Sequence, residues 1–221
     1  MPREDRVERD VWWRTGVYTV GTIARACFDI RFSGLHNIPR QGAAILASNH
    51  ISVIDPVIVA LAPSSRGRTV RFLAAAEMFE KPFIGQGLRL IKQIPIHRGA
   101  SDMKALEEAA EVISAGALAG IFPEGGVGPG PLQPGRRGAA RIALAAGVPL
   151  IPTGIWGTRA RWPREGFRFG PPWRPRVAVV CGAPITPVGS PRDPQDVRQL
   201  TDRLMREIGM VVDRARHVAA P

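Results

Sequence analysis

Two side chains five positions apart, His50 and Asp55, are the first in the chain that could do chemistry together. A carboxylate that holds one imidazole nitrogen fixes the tautomer and frees the other nitrogen as a base. On one continuous helix this spacing separates them, because residues three and four apart share a face. With His50 on a loop and Asp55 at a helix start, the two can meet. Taken alone, a histidine near an aspartate is more often structural. Glu124, in Phe122-Pro123-Glu124-Gly125-Gly126, ends a strand-like run and opens a loop. Open α/β sheets place ligand groups at such strand ends, although the same residue also reads as a solvated turn carboxylate. Arg98 follows the apolar run 91–97 at a comparable position. Its guanidinium could clamp a phosphate bidentately or pair with a surface acid.

The elements that must position these groups alternate. Residues 5–28 read as a helix. Short apolar runs suited to buried strands lie at 43–47, 71–75, 93–97, 118–122, 149–155 and 177–181. Helical stretches lie at 56–61, 77–92 (interrupted near Pro82 and Gly85), 101–114, 136–146 and 191–217. In the last, Val197, Leu200, Leu204, Ile208 and Val211 form one stripe that reads as core. The alternation predicts an α/β fold, a mixed sheet covered by helices. Residues 123–138 are rich in glycine and proline and read as a loop over a site.

Together the candidate residues form a pattern. Asn49-His50-Ile51-Ser52-Val53-Ile54-Asp55 resembles the NHxxxxD block of the glycerolipid acyltransferases. Ile94-Pro95-Ile96-His97-Arg98 is similar to their second block, Phe122-Pro123-Glu124-Gly125 to their FPEG block, and Val148-Pro149-Leu150-Ile151-Pro152 to their proline-bearing fourth block. The order and spacing resemble the 1-acylglycerol-3-phosphate (lysophosphatidate) acyltransferases, over roughly residues 40–155.

The resemblance implies an acyltransferase domain over 35–221, preceded by a membrane-interface helical segment over 1–34. It implies transfer of a fatty acyl group from acyl-CoA or acyl-carrier protein to the sn-2 hydroxyl of lysophosphatidate, with no cofactor and no covalent enzyme intermediate. Another lysolipid or a glycolipid is the alternative acceptor. His50 would be the base and Asp55 its orienter. Asn49, Arg98, Glu124, Gly125 and Arg137 would bind substrate. The implied location is the cytoplasmic side of the cell membrane, peripheral and monotopic. The chain departs from the family pattern at three places. Gly126-Val127-Gly128 stands where Thr-Arg-Ser usually follows FPEG, Lys92 where a glycine is expected, and His97 where an acid is common. These departures bear on the acceptor rather than on acyl transfer. Arg136 or Arg137, at the far end of the loop, could replace the missing arginine.

Composition narrows the partners. The 221 residues suit one domain, or one domain with a short appendage, and 45% of them are hydrophobic. The net charge of +11 predicts an anionic partner. Residues 136–176 hold nine arginines and one acid, Glu165, so that stretch alone carries +8. There Trp156, Trp162, Phe167, Phe169 and Trp173 interleave with Arg159, Arg161, Arg164, Arg168, Arg174 and Arg176. This reads as a surface for anionic membrane headgroups or as an arginine-rich hairpin with core tryptophans. Trp12 and Trp13 beside Arg14 suit a headgroup interface in the same way, or a helix packed on the domain.

Basic residues among aromatics also suit single-stranded nucleic acid. The chain has no RNP-like strand, zinc knuckle or helix-turn-helix pattern, so no nucleic-acid partner is expected. It lacks a G-x-S-x-G elbow, a P-loop and a second histidine at metal spacing. Cys27 and Cys181 imply neither a disulfide framework nor a metal site, and fit a reducing compartment. The first ten residues are too charged for a signal peptide. The longest uncharged run, 142–158, is broken by Gly147, Pro149, Pro152 and Gly154, so no spanning helix is expected.

Overall fold

A computed structural model describes residues 11–96 and 103–220. The chain begins with α1 (Val11–Cys27), β1 (Asp29–Ser33) and a single 3-10 turn, Leu35–Asn37. Then follow β2 (Ala44–Ser48), α2 (Asp55–Ser64), β3 (Val70–Ala75), and the short helices α3 (Ala76–Phe79) and α4 (Ile84–Leu90). The middle contains β4 (Ile94–Ile96), α5 (Met103–Ser114), β5 (Leu118–Ile121) and α6 (Gly138–Ala146). The chain closes with β6 (Leu150–Trp156), a 3-10 turn at Thr158–Ala160, β7 (Arg176–Cys181) and α7 (Pro194–Ala219).

The strands form one seven-stranded sheet in the order β1-β7-β6-β2-β5-β3-β4. Every pairing is parallel except β6 with β7. The mixed sheet covered by helices is therefore as the sequence predicts. β2 lies centrally and all five of its residues are buried, which explains its continuous apolar run. Its alternate side chains serve opposite faces. Ile45 and Ala47 pack with α5, α6 and α7. Ala44 and Leu46 pack with Ala24 of α1, with α2 and with Val179 of β7.

α7 carries the stripe that the sequence predicts: Val197, Leu200, Leu204, Ile208 and Val211 are buried. Asp193 caps it by accepting from the Gln195 N–H at 2.7 Å, and Pro194 opens it. The helix presses directly on β6 at Gly154, where an added Cβ would stand 2.5 Å from the Val211 backbone.

One expectation needs correction. The N-terminal helix ends at Cys27, and residues 29–33, assigned to a helical segment ending at 34, are instead edge strand β1, parallel to β7. The sheet thus begins before residue 35. Asp29 and Arg31 alternate with apolar residues in β1, so it lacks the apolar run that marks the other strands. Asp29 pairs with Arg31 and Arg176, both exposed, as suits an edge. The stretch 77–92 is interrupted near Pro82 as the sequence predicts, with residues 80–83 separating α3 from α4. Residues 1–10 and the side chains of Trp12 and Trp13 lie outside the described residues, so their expected interfacial role has no counterpart here. Among the described residues no helix is long and apolar enough to cross a membrane.

Candidate active site

The loop between β2 and α2 folds around one carboxylate. Asp55 is the first residue of α2 and is fully buried. Its Oδ2 accepts from the backbone N–H groups of Ile51 and Ser52, each at 2.7 Å, and lies 3.1 Å from His50 Nδ1. Its Oδ1 accepts from Thr158 Oγ1 at 2.6 Å. Oδ2 serves as acceptor to two backbone N–H groups, so the imidazole nitrogen that faces it serves as a further donor. Asp55 therefore holds the His50 tautomer with the proton on Nδ1, and Nε2 keeps its lone pair. The spacing that excludes a shared helix face works because His50 precedes the helix and the loop curls back onto its first turn.

The FPEG segment fixes the imidazole from two sides. Phe122 stacks on the His50 ring, with centroids 4.0 Å apart and planes 21° apart, and Phe72 backs Phe122 at 5.5 Å. Glu124 is buried, and its Oε1 accepts from the His50 N–H at 2.9 Å. Its Oε2 accepts from the Gln133 N–H at 3.2 Å. Burial pushes its carboxyl from 4.5 up to about 7; the two backbone donors oppose this rise and the nearby Asp55 charge adds to it. The Gly128 N–H returns to His50 O at 2.8 Å. Glu124 thus ties the His50 loop to the 123–137 loop.

Asn49, expected to bind substrate, is likewise held by the protein itself. Its Nδ2 donates to Pro131 O at 2.8 Å and Ile155 O at 3.0 Å, and its Oδ1 accepts from the Ile155 N–H at 2.8 Å. Fully buried, with both amide hydrogens used, it staples β2, β6 and the loop. Gly125 has φ +78°, a left-handed turn that brings the backbone against Arg136; a Cβ would stand 2.8 Å from Arg136 Nε.

His50 opens on a cavity of about 790 Å³. One part is apolar, with Val57, Leu61, Phe72, Leu73, Met78 and Ile91 in its wall. The other part is cationic: Gly125 lies there with Arg136, Arg137 and Arg141, around the first turn of α6. Among the described residues, Arg141 Nε is buried with no hydrogen-bond partner. A helix N-terminus with arginines suits an anion. β4 also ends at the cavity, where Ile96 lines it, but Arg98 lies outside the described residues.

Arg161, expected among the headgroup-binding arginines, is instead buried. Arg174 donates to Arg25 O, and Arg176 lies 3.6 Å from Asp29. Sequence reasoning also missed Thr158 and the stacking by Phe122. Thr158 is 103 residues from its partner Asp55, and nothing local marks it.

The family model for acyltransferases matches residues 29–156, and the chain belongs to that family. It is 31% identical over 152 residues to an uncharacterised Mycobacterium tuberculosis protein, covering 63% of this chain and 40% of that protein. It is 33% identical over 129 residues to a chloroplast 1-acyl-sn-glycerol-3-phosphate acyltransferase of Brassica napus, covering 57% of this chain and 36% of that protein. The chain spans less than half the length of these two relatives. In fold it is similar to the crystal structure of the 1-acyl-sn-glycerophosphate acyltransferase PlsC from Thermotoga maritima. The TM-score is 0.65 at 23% identity, over 88% of this chain and 79% of that one.

Proposed function

We propose that this chain is a 1-acyl-sn-glycerol-3-phosphate acyltransferase acting at a membrane surface. The observation that carries this reading is the His50–Asp55 pair, with Nε2 of His50 free at the mouth of a cavity that is apolar on one side and arginine-lined on the other. Nε2 takes the proton of the acceptor hydroxyl as its oxygen attacks the carbonyl carbon of the acyl thioester. The tetrahedral intermediate then collapses, the C–S bond breaks, and the imidazolium returns its proton to the thiolate. The buried Asp55 carboxylate stabilises the imidazolium throughout. The products are an ester and a free thiol, and no cofactor takes part.

The apolar wall suits a fatty acyl chain. Arg136, Arg137 and Arg141 suit the acceptor phosphate, in place of the arginine absent after FPEG. Lysophosphatidate is the acceptor this combination favours, giving phosphatidate, with acyl-CoA or acyl-carrier protein as donor. The enzyme would work as a peripheral protein on the cytoplasmic side of the cell membrane. Purified protein incubated with either donor and a panel of lysolipids tests the reading, with products identified by mass. Phosphatidate as the principal product supports it. Turnover only of lysolipids lacking a terminal phosphate would sink it.

A further inference from the structure

Residues 161–173 form a loop between the Thr158–Ala160 turn and β7 that has the opposite of the usual arrangement: its cation is inside and its aromatics are outside. Arg161 is only 6% exposed. Its Nη1 donates to Arg168 O and Gly170 O at 3.0 and 2.8 Å, and its Nη2 to Pro172 O and Trp173 O at 2.5 and 3.0 Å. One guanidinium thus gathers four carbonyls and closes the loop without strand pairing. Outside stand Phe169, 82% exposed, Trp173, 63%, Phe167, 56%, and Trp162, 39%. They are set in two edge-to-face pairs, Trp162 with Phe167 at 5.4 Å and Phe169 with Trp173 at 5.2 Å. The Arg164 and Arg168 side chains are exposed beside them.

Aromatics displayed on a preformed loop mark an interaction site, because ordering has already been supplied by the fold. Two observations identify the occupant. Arginine alternates with amphipathic rings, as at the headgroup level of an anionic bilayer. The loop is also tied to the elements that border the catalytic cavity. Arg174 Nη2 ties the loop's end to Arg25 O and Phe28 O, at the close of α1. Tyr18 and Ile23 of α1 are exposed, and Val20 of the same helix lines the cavity. On its other side the loop hangs from the catalytic segment, where Ser52 Oγ donates to Trp162 O.

We infer that this loop is a membrane-docking platform for anionic phospholipid bilayers, stapled by Arg161 and placed beside the catalytic cavity so that a lipid acceptor enters from the bilayer. Its benefit to turnover rests on the lipid acyltransferase reading; docking itself does not.

Sedimentation with phosphatidylcholine vesicles, with and without phosphatidylglycerol, tests it. Wild type binds the anionic vesicles more tightly. Phe169→Ser with Trp173→Ser lowers that binding about tenfold or more, since two rings no longer leave water. Arg164→Glu with Arg168→Glu abolishes the preference for anionic lipid. A direct readout needs no destabilising change: lipids brominated near the headgroup quench wild-type tryptophan fluorescence, and Trp173→Phe reduces the quenching. Wild-type binding that does not distinguish the two vesicles, double variants that bind as wild type, or quenching unchanged by Trp173→Phe would each overturn the inference. So would a single-stranded oligonucleotide that displaces the protein from anionic vesicles through these same aromatics. Failure of wild type to acylate any lysolipid would defeat the enzymatic reading and leave the vesicle measurements to judge docking by themselves.

Discussion

Thr158 Oγ1 donates to Asp55 Oδ1 at 2.6 Å, joining the end of β6 to the first turn of α2 across the site. The hydroxyl sits opposite His50, on the other oxygen of the same carboxylate. Thr158→Val leaves that buried oxygen short of a donor. We expect kcat to fall about tenfold or more, as a lost hydrogen bond to a charged group of about 1.5–3 kcal/mol implies. KM changes little, and Thr158→Ser restores the rate. Steady-state kinetics of the three proteins check this.

His50→Ala removes the base and leaves the backbone ties of the loop in place. Acyl transfer is expected to drop by about 10²–10⁴ with the thermal unfolding profile preserved. Asp55→Asn costs as much or more, because the amide cannot accept from every donor around it and misorients the imidazole. Comparable turnover in either variant would refute the base assignment.

Asn49→Ala breaks three hydrogen bonds among β2, β6 and the 123–137 loop. It is expected to lower stability by about 2–4 kcal/mol, measurable by denaturant unfolding. The acceptor KM should show no selective change, which separates a staple from a substrate ligand.

Glu124 makes stability depend on pH. The unfolded carboxyl ionises near 4.5 and the folded one near 7, so between these values the folded protein holds the extra proton. The contribution of this group is fully present below about 4.5 and is lost as pH rises through about 7. Glu124→Gln removes that slope. Unfolding midpoints compared across this window for the two proteins test it, and parallel profiles would contradict the assignment.

Arg136→Gln with Arg137→Gln should raise the KM for lysophosphatidate about tenfold or more, because charge-assisted contacts to phosphate are lost. Monoacylglycerol, which lacks the phosphate, should be unaffected. Parallel assays of the two acceptors read the difference.

The sequence made the His50–Asp55 contact, the helix stripe of α7 and the buried strands legible because each has a local cause. An apolar run marks β2, periodicity marks α7, and the HxxxxD spacing marks the loop. Strand β1 was not legible, because an edge strand with Asp29 and Arg31 has no buried run to display. The roles of Asn49 and Glu124 were not legible either. Their residue types suit ligand binding, and only the three-dimensional course of the 123–137 loop shows that backbone groups occupy them. Arg161 is the clearest such case. Counted by charge it belonged to a surface patch, yet its guanidinium is spent on four carbonyls inside the loop.

The phenyl ring lying flat on His50 bears on regiochemistry. Phe122 covers one face of the imidazole at 4.0 Å, and Asp55 occupies the Nδ1 edge. The lone pair on Nε2 lies in the ring plane, so a hydroxyl has a single line of approach, along that plane from the cavity. On the proposed reading, a polyol anchored by its phosphate beside Arg136 and Arg137 brings only the hydroxyl at matching reach onto that line. If glycerol phosphate is the acceptor backbone, as proposed, which of its oxygens receives the acyl group is a question of distance from anchor to base, answered before any bond begins to form.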